Sequence, residues 1–143
     1  MAVGTIVTFN ETLVPLTNGT ILAASDVKIG LITAGTPTAA DTTPTWSDYS
    51  GSEAVGGTYT TGGTSLGAIS AVFVANGTGV MMDSTTNPTW AADGSNSAAV
   101  TYGIIYEVTG DLAIAFIELG TVNMQTSTLT ITWDGTNGLF KID

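Results

Sequence analysis

One pentapeptide matches a nucleophile pattern. Gly63-Thr64-Ser65-Leu66-Gly67 fits G-x-S-x-G, in which a serine on a strand-to-helix turn attacks a carbonyl carbon while a histidine takes its proton. The chain contains no histidine, and the residues around Ser65 are typical of a loop leading into a strand. We interpret the match as a chance occurrence in a stretch rich in Gly, Ser and Thr.

Carboxylates are the next candidates for acid–base chemistry. A glycosidase or an aspartic protease needs two carboxyl groups held at a set separation. The 12 acidic residues are spread along the chain, and only Glu107 and Glu118 lie in clear strand patterns. Glu107 falls on the polar side of its strand, so we expect it to be a solvated surface carboxylate. We predict no catalytic residues and expect that the protein is not an enzyme.

Two turn sequences carry the oxygen ligands that calcium prefers. They are Asp93-Gly94-Ser95-Asn96-Ser97 and Asp134-Gly135-Thr136-Asn137. Neither has the full register of a calcium loop, and such side chains commonly bond their own backbone in turns. Zinc lacks its usual ligands, since the chain has neither cysteine nor histidine. We predict no metal site and no cofactor, with weak calcium binding as the alternative.

Three aromatic residues stand in loop-like sequence rich in Pro, Thr and Asp: Trp46, Tyr49 and Trp90. They could fill a satellite core, stack on sugar rings, or anchor a protein interface. We favour the interface interpretation. Other aromatic residues lie at inward positions of predicted strands and are predicted to be core residues: Tyr102, Tyr106, Phe116 and Trp133.

The elements that would position these residues are predicted to be strands. Apolar and polar residues alternate over Val100–Val108 and over Thr128–Trp133, which is typical of strands with one buried face. Further strands are predicted over Val27–Thr33, Ile69–Ala75 and Leu112–Leu119, the last covered on both faces.

Turn residues separate these segments. Thr109-Gly110-Asp111 predicts a hairpin loop, and Asn-Gly and Asp-Gly pairs recur elsewhere. The stretch Thr33–Gly67 is rich in Gly, Thr, Ser, Ala and Pro and predicts a long loop or arm. A short helix over Thr12–Ala24 is an open alternative. The pattern predicts a single all-β domain, a β-sandwich or jelly-roll-like barrel.

Charge excludes several kinds of partner. Against the 12 acidic residues stand only Lys28 and Lys141, which leaves a net charge of −10. Such a surface repels phosphate, so we predict no nucleic-acid binding and no binding to anionic membranes. The most apolar stretch, Ala98–Leu119, is interrupted by acidic residues and predicts no membrane span.

The series of strand and turn motifs resembles the small virion proteins of tailed bacteriophages, which include capsid decoration (cement) proteins. The residues that carry the resemblance are Val27–Ile32, Gly57–Gly63 with Leu66, Thr89-Trp90, Tyr102–Tyr106, Leu112–Gly120, Leu129–Trp133 and Gly138–Ile142. The resemblance implies a β-rich, non-enzymatic virion component that assembles symmetrically.

From the resemblance and the acidity we expect a decoration protein on the outer surface of the phage capsid. Its partners would be further copies of itself, in a trimer, and the major capsid protein. A tail-tube, baseplate or fibre component is the alternative within the virion. A carbohydrate-binding module, with Trp46, Tyr49 and Trp90 as its stacking platform, is the alternative outside it.

Overall fold

A computed structural model describes residues 4–12, 26–68, 70–73, 80–84, 86–133 and 140–142. Strands make up 39% of the chain and helical residues 10%, which confirms the predicted all-β, sandwich-like class. The strands are β1 (Ile6–Thr8), β2 (Asp26–Ile32), β3 (Thr64–Ala68), β4 (Ser70–Phe73), β5 (Val80–Asp83), β6 (Thr89–Trp90), β7 (Val100–Glu107), β8 (Leu112–Val122), β9 (Leu129–Thr130) and β10 (Phe140–Ile142). A helix, α1 (Trp46–Tyr49), and two 3-10 turns, Asn10–Thr12 and Ser50–Ser52, complete the described elements.

The central sheet has five antiparallel strands in the order β1-β8-β7-β2-β3. Its longest pair, β7 and β8, is joined by the predicted hairpin, in which Asp111 takes a φ of 56°. Left-handed backbone is tolerated by aspartate better than by most residues. A three-stranded sheet, β10-β5-β4, and a two-stranded ribbon, β6-β9, accompany the central sheet.

The central sheet is covered on both faces, which corrects the prediction that β7 has one solvated face. Along β7 the burial pattern is continuous from Gly103 to Glu107. On one face lies a large core that includes Ile29, Ile105 and Ile117. The opposite face carries a smaller core that includes Phe9, Ile104 and Phe116. The face predicted to be solvated is the one that carries the large core. Alternation did not show this because the residues that pack over it, such as Tyr59, Trp90 and Leu129, are distant in the sequence.

The segment predicted as a loop or arm over Thr33–Gly67 is folded onto the sheet and contains α1, a 3-10 turn and most of β3. The helix begins at a capping box: Thr45 Oγ1 accepts from the Asp48 N–H, and Asp48 accepts from the Thr45 N–H. Backbone bridges Ile32–Glu53 and Thr45–Leu112 tie the segment to β2 and β8. The segment is therefore mostly loop, one of the two predicted alternatives, and it packs on the sheet of its own chain.

The other predicted strands are confirmed with shifted ends. β2 lies within one residue of its predicted range, and β8 continues three residues further, to Val122. β4 covers the centre of the predicted Ile69–Ala75 strand, whereas β9 ends at Thr130. The helix considered over Thr12–Ala24 lies outside the described residues except for Thr12, which ends a 3-10 turn.

Candidate functional site

Trp46, the first of the three loop aromatics, packs onto the central sheet of its own chain. Its side chain is 8% exposed and belongs to the smaller core. The indole lies over the Cα of Gly30 and stacks on Tyr106, with ring centroids 4.9 Å apart and planes 8° apart. A side chain at position 30 would occupy the space that the indole fills.

The other two loop aromatics also pack within the chain. Trp90 is 2% exposed and lies 6.4 Å from the Tyr59 ring in the large core. Tyr49 is half-buried, stacks on Phe9 at 6.1 Å and donates a hydrogen bond to Asp41. Trp46 and Trp90 therefore fill the chain's own cores, so neither presents an open ring to a sugar or to a partner.

The inward aromatics predicted for the core divide into two groups. Tyr106, Phe116 and Trp133 are buried, as predicted, whereas Tyr102 is only partly buried. Tyr102 packs edge-on against Phe116 at 6.3 Å. Tyr102 also lines an open cleft beside β7 and β8.

A network of hydroxyl and carboxylate groups fixes the segment from Glu53 to Gly63. Tyr59 donates to Glu53 Oε1 at 2.7 Å and accepts from the Leu31 N–H at 3.0 Å. Glu53 Oε1 also accepts from the Gly62 N–H, and the Gly62 carbonyl accepts from Tyr106. Burial raises the pKa of Tyr59 far above its ordinary value and that of Tyr106 to about 12, with the nearby Glu53 charge adding to both shifts. Both phenols therefore act as neutral structural donors at physiological pH.

Several carboxylates close turns. Asp48 caps α1, and Asp111 accepts from the backbone N–H and the hydroxyl of Ser47. Glu107 is 3% exposed, and its oxygens accept from the N–H groups of Thr109 and Gly110 at 2.9 and 2.6 Å. The prediction of a solvated Glu107 is wrong because the hairpin turns back over this side chain.

The serine motif and the first calcium-like turn both serve local structure. Ser65 lies in β3, not at a strand-to-helix turn, and its hydroxyl donates to Asp26. Asp93 accepts from the Ser95 N–H. Asn96 is 2% exposed and links three loops, donating to Thr58 Oγ1 and to the Ala91 and Met124 carbonyls. Across the described part of the chain, no group of three or more acidic residues is placed to hold a metal ion; residues 134–137 lie outside it.

An open cleft lies where β7 and β8 become irregular. It has a volume of about 350 Å³ and is lined by Ala34, Gly35, Thr36, Thr101, Tyr102, Glu118, Gly120 and Thr121. Tyr102 pairs with Glu118 across the two strands, whereas Val100 pairs with Val122. The extra residues on β8 form a bulge in which Gly120 takes a φ of 71°. Bulges of this kind commonly lie beside functional sites because they redirect side chains.

Sequence reasoning did not identify this cleft. Tyr102 was predicted as a core residue, and Glu118 was noted only as a carboxylate within a strand. The available signal was that the two residues lie on the two strands that the predicted hairpin joins. The cleft also needs the 34–36 loop, whose position follows from tertiary packing.

Comparison with known proteins gives no family. No protein-family model, curated protein or solved structure matches the chain. No helix among the residues that the structure describes is long and apolar enough to cross a membrane.

Proposed function

We propose that this protein is a capsid decoration protein, which binds the outer surface of a tailed-phage head and stabilises it. The proposal is supported by the series of motifs that resembles small phage virion proteins, which falls on the main elements of the fold. Tyr102–Tyr106 lies in β7, Leu112–Gly120 in β8 and Val27–Ile32 in β2.

The charge of the chain supports an outer location. With 12 acidic and two basic residues, the protein would be repelled by packaged DNA inside the shell. The outer surface of a head imposes no such penalty. A decoration protein acts through many small contacts made together across subunit junctions, so it needs a firm β scaffold and surface area but no reactive group.

The way polar side chains are used also supports a structural role. Glu53, Tyr59 and Glu107 hold loops against the central sheet. A rigid module that presents identical patches is suited to cyclic assembly, and we infer a trimer at a local three-fold axis of the head.

The direct test mixes purified protein with undecorated phage heads, before and after expansion of the shell. We expect saturable binding to expanded heads, measured by co-sedimentation, and a higher temperature of head disruption. Binding only to isolated tails would instead identify the alternative, a tail component. Absence of binding to both would contradict a virion role.

A further inference from the structure

Residues 33–52 form a loop whose two ends meet, and we call this loop the strap. The ends are joined at the Ile32–Glu53 bridge. Two backbone hydrogen bonds of 2.8 Å flank that bridge, from the Thr33 N–H to the Ser52 carbonyl and from the Ala54 N–H to the Leu31 carbonyl. Surface loops with joined ends are frequently functional.

The tip of the strap is attached to the edge of the central sheet where β8 begins. Thr45 forms a bridge with Leu112. Two backbone hydrogen bonds of 3.0 Å flank this bridge, from the Trp46 N–H to the Asp111 carbonyl and from the Ala113 N–H to the Pro44 carbonyl. The strap is therefore tied to the sheet by backbone pairing at its base and again at its tip.

Little buried apolar surface holds the strap in place. It contains no Val, Leu, Ile, Met or Phe, and its buried residues are Pro37, Pro44 and Trp46. The hydrogen bonds that Ser47 makes to Asp111 are exposed to solvent. Segments with few buried apolar contacts and exposed hydrogen bonds open at a lower free energy than the core of a protein.

The tip is also where the backbone is strained. Among the described residues, positive φ outside glycine is found at Thr43, with 44°, and at Asp111, with 56°. Both lie at the tip contact: the Thr43 N–H donates to Glu11 Oε2 at 2.6 Å, and the Asp111 carbonyl accepts from Trp46. Left-handed backbone is costly for a β-branched residue such as threonine. Strained residues persist where surrounding contacts hold them, and they cluster at clamps and switch regions.

We propose that the strap opens as a unit while the central sheet stays folded, with the bridge at its base as the hinge. Release of the tip removes the strain at Thr43 and withdraws the Trp46 indole from the sheet. It uncovers two surfaces at once: the space over Gly30 beside Tyr106, and the backbone edge of the sheet at the start of β8. The strap is thus a lid over an apolar slot and a strand edge.

Native-state hydrogen exchange, followed by NMR in the isolated full-length chain, tests this movement whether or not the protein binds phage heads. We expect the Trp46 and Ala113 amides to exchange through one common opening, at least about a hundredfold faster than the Ile105 amide in β7. The Ala54 amide at the hinge should exchange more slowly than both. Exchange of Trp46 and Ala113 at two unrelated free energies, or only together with Ile105, would overturn the proposal.

A core variant separates opening of the strap from unfolding of the sheet. Ile117→Val shortens a side chain in the large core, so it should quicken exchange of the Ile105 amide about fivefold. The Trp46 and Ala113 amides should keep their rates, because that core stays intact when the strap opens. Equal quickening at the tip would show that the strap leaves only when the sheet unfolds.

Two neighbouring threonines test the strained tip. Thr42 and Thr43 are both exposed, but φ is positive only at Thr43. Thr43→Gly should slow exchange of the Trp46 and Ala113 amides about fivefold, because glycine adopts this conformation at little cost. Thr42→Gly should not slow it, since glycine there adds only backbone freedom. Exchange at the tip that Thr43→Gly leaves unchanged or quickens would contradict strain as a cause of opening.

Discussion

Gly30 lies directly beneath the Trp46 indole, and this contact sets how closely the 33–67 segment approaches the central sheet. Gly30→Ala would place a methyl group inside the ring. We expect the free energy of unfolding to fall by about 1–3 kcal/mol, as overpacked cores generally show, with a red shift in tryptophan fluorescence. Chemical denaturation monitored by fluorescence measures both effects.

Gly51 supplies the control for this prediction. No atom lies within 4 Å of the position that a Cβ would take there. Gly51→Ala should therefore change stability by less than about 0.5 kcal/mol. Equal destabilisation by the two variants would show that the Trp46 contact is not what positions the segment.

The Tyr59 hydroxyl links β2 to the turn that ends at Gly63. Tyr59→Phe removes this group, which accepts from the Leu31 N–H and donates to Glu53. The Leu31 N–H and the Glu53 carboxylate then each lose a hydrogen bond in a mostly buried site. We therefore expect the free energy of unfolding to fall by about 1–3 kcal/mol. Hydrogen exchange should quicken at the Leu31 and Gly62 amides, and unchanged protection at both would contradict the role assigned to the hydroxyl.

At the scale of elements, α1 and the turn before it depend on two ionised carboxylates. The Thr38 hydroxyl lowers the pKa of Asp41, and the Thr45 hydroxyl lowers that of Asp48, in each case with help from the threonine N–H. A lowered pKa in the folded chain stabilises the fold above the unfolded value of 3.8. The stabilisation is lost as the pH falls below that value.

We therefore expect the double variant Asp41→Asn, Asp48→Asn to lose less stability on acidification below pH 3.8 than the unmodified chain. Urea unfolding at a series of pH values gives the two slopes. An identical acid dependence in both proteins would show that these caps carry no net stabilisation.

The sequence predicts the strands better than it predicts the residues that pack on the faces of the sheet. Alternation and the Thr109–Asp111 turn located β7 and β8 and the hairpin between them. Alternation could not show that Trp46 covers the Gly30 side of the sheet, because that contact joins residues from two separate segments. Glu107 was misassigned for a related reason: its buried position depends on the way the turn folds back.

The register of β7 and β8 explains why the cleft was not predicted. Glu107 pairs with Leu112, and an unbroken hairpin would place Tyr102 opposite Ile117. A bulge between Ile105 and Tyr106 shifts the pairing by one residue and places Tyr102 opposite Glu118. A shift of one residue changes which side chains share a face, and no glycine is adjacent to Ile105, Tyr106 or the unpaired Ile114 to mark the bulge.

At the scale of the whole molecule, three tyrosines, two buried and one half-buried, should contribute to the response to alkali. Burial is the main cause that raises the pKa of Tyr49, Tyr59 and Tyr106 above the ordinary value of 10, to about 12 for Tyr106. Between pH 10 and about 12, the folded chain therefore keeps phenol protons that the unfolded chain has lost. The stabilisation that comes from these raised pKa values is fully present below pH 10 and is lost as the pH rises toward 12 and beyond.

Ultraviolet absorbance of tyrosinate, recorded beside circular dichroism, tests this response. We expect these phenols to ionise together with unfolding. Ionisation of all the tyrosines near pH 10 with the fold intact would contradict their burial.

Electron microscopy of virions with and without this gene tests the central claim most directly, because it locates the protein on the particle. The account predicts regularly spaced density on the outer head surface of normal virions, at local three-fold axes. It also predicts loss of that density, with less stable heads, when the gene is deleted. Unchanged heads, or density confined to the tail, would contradict it.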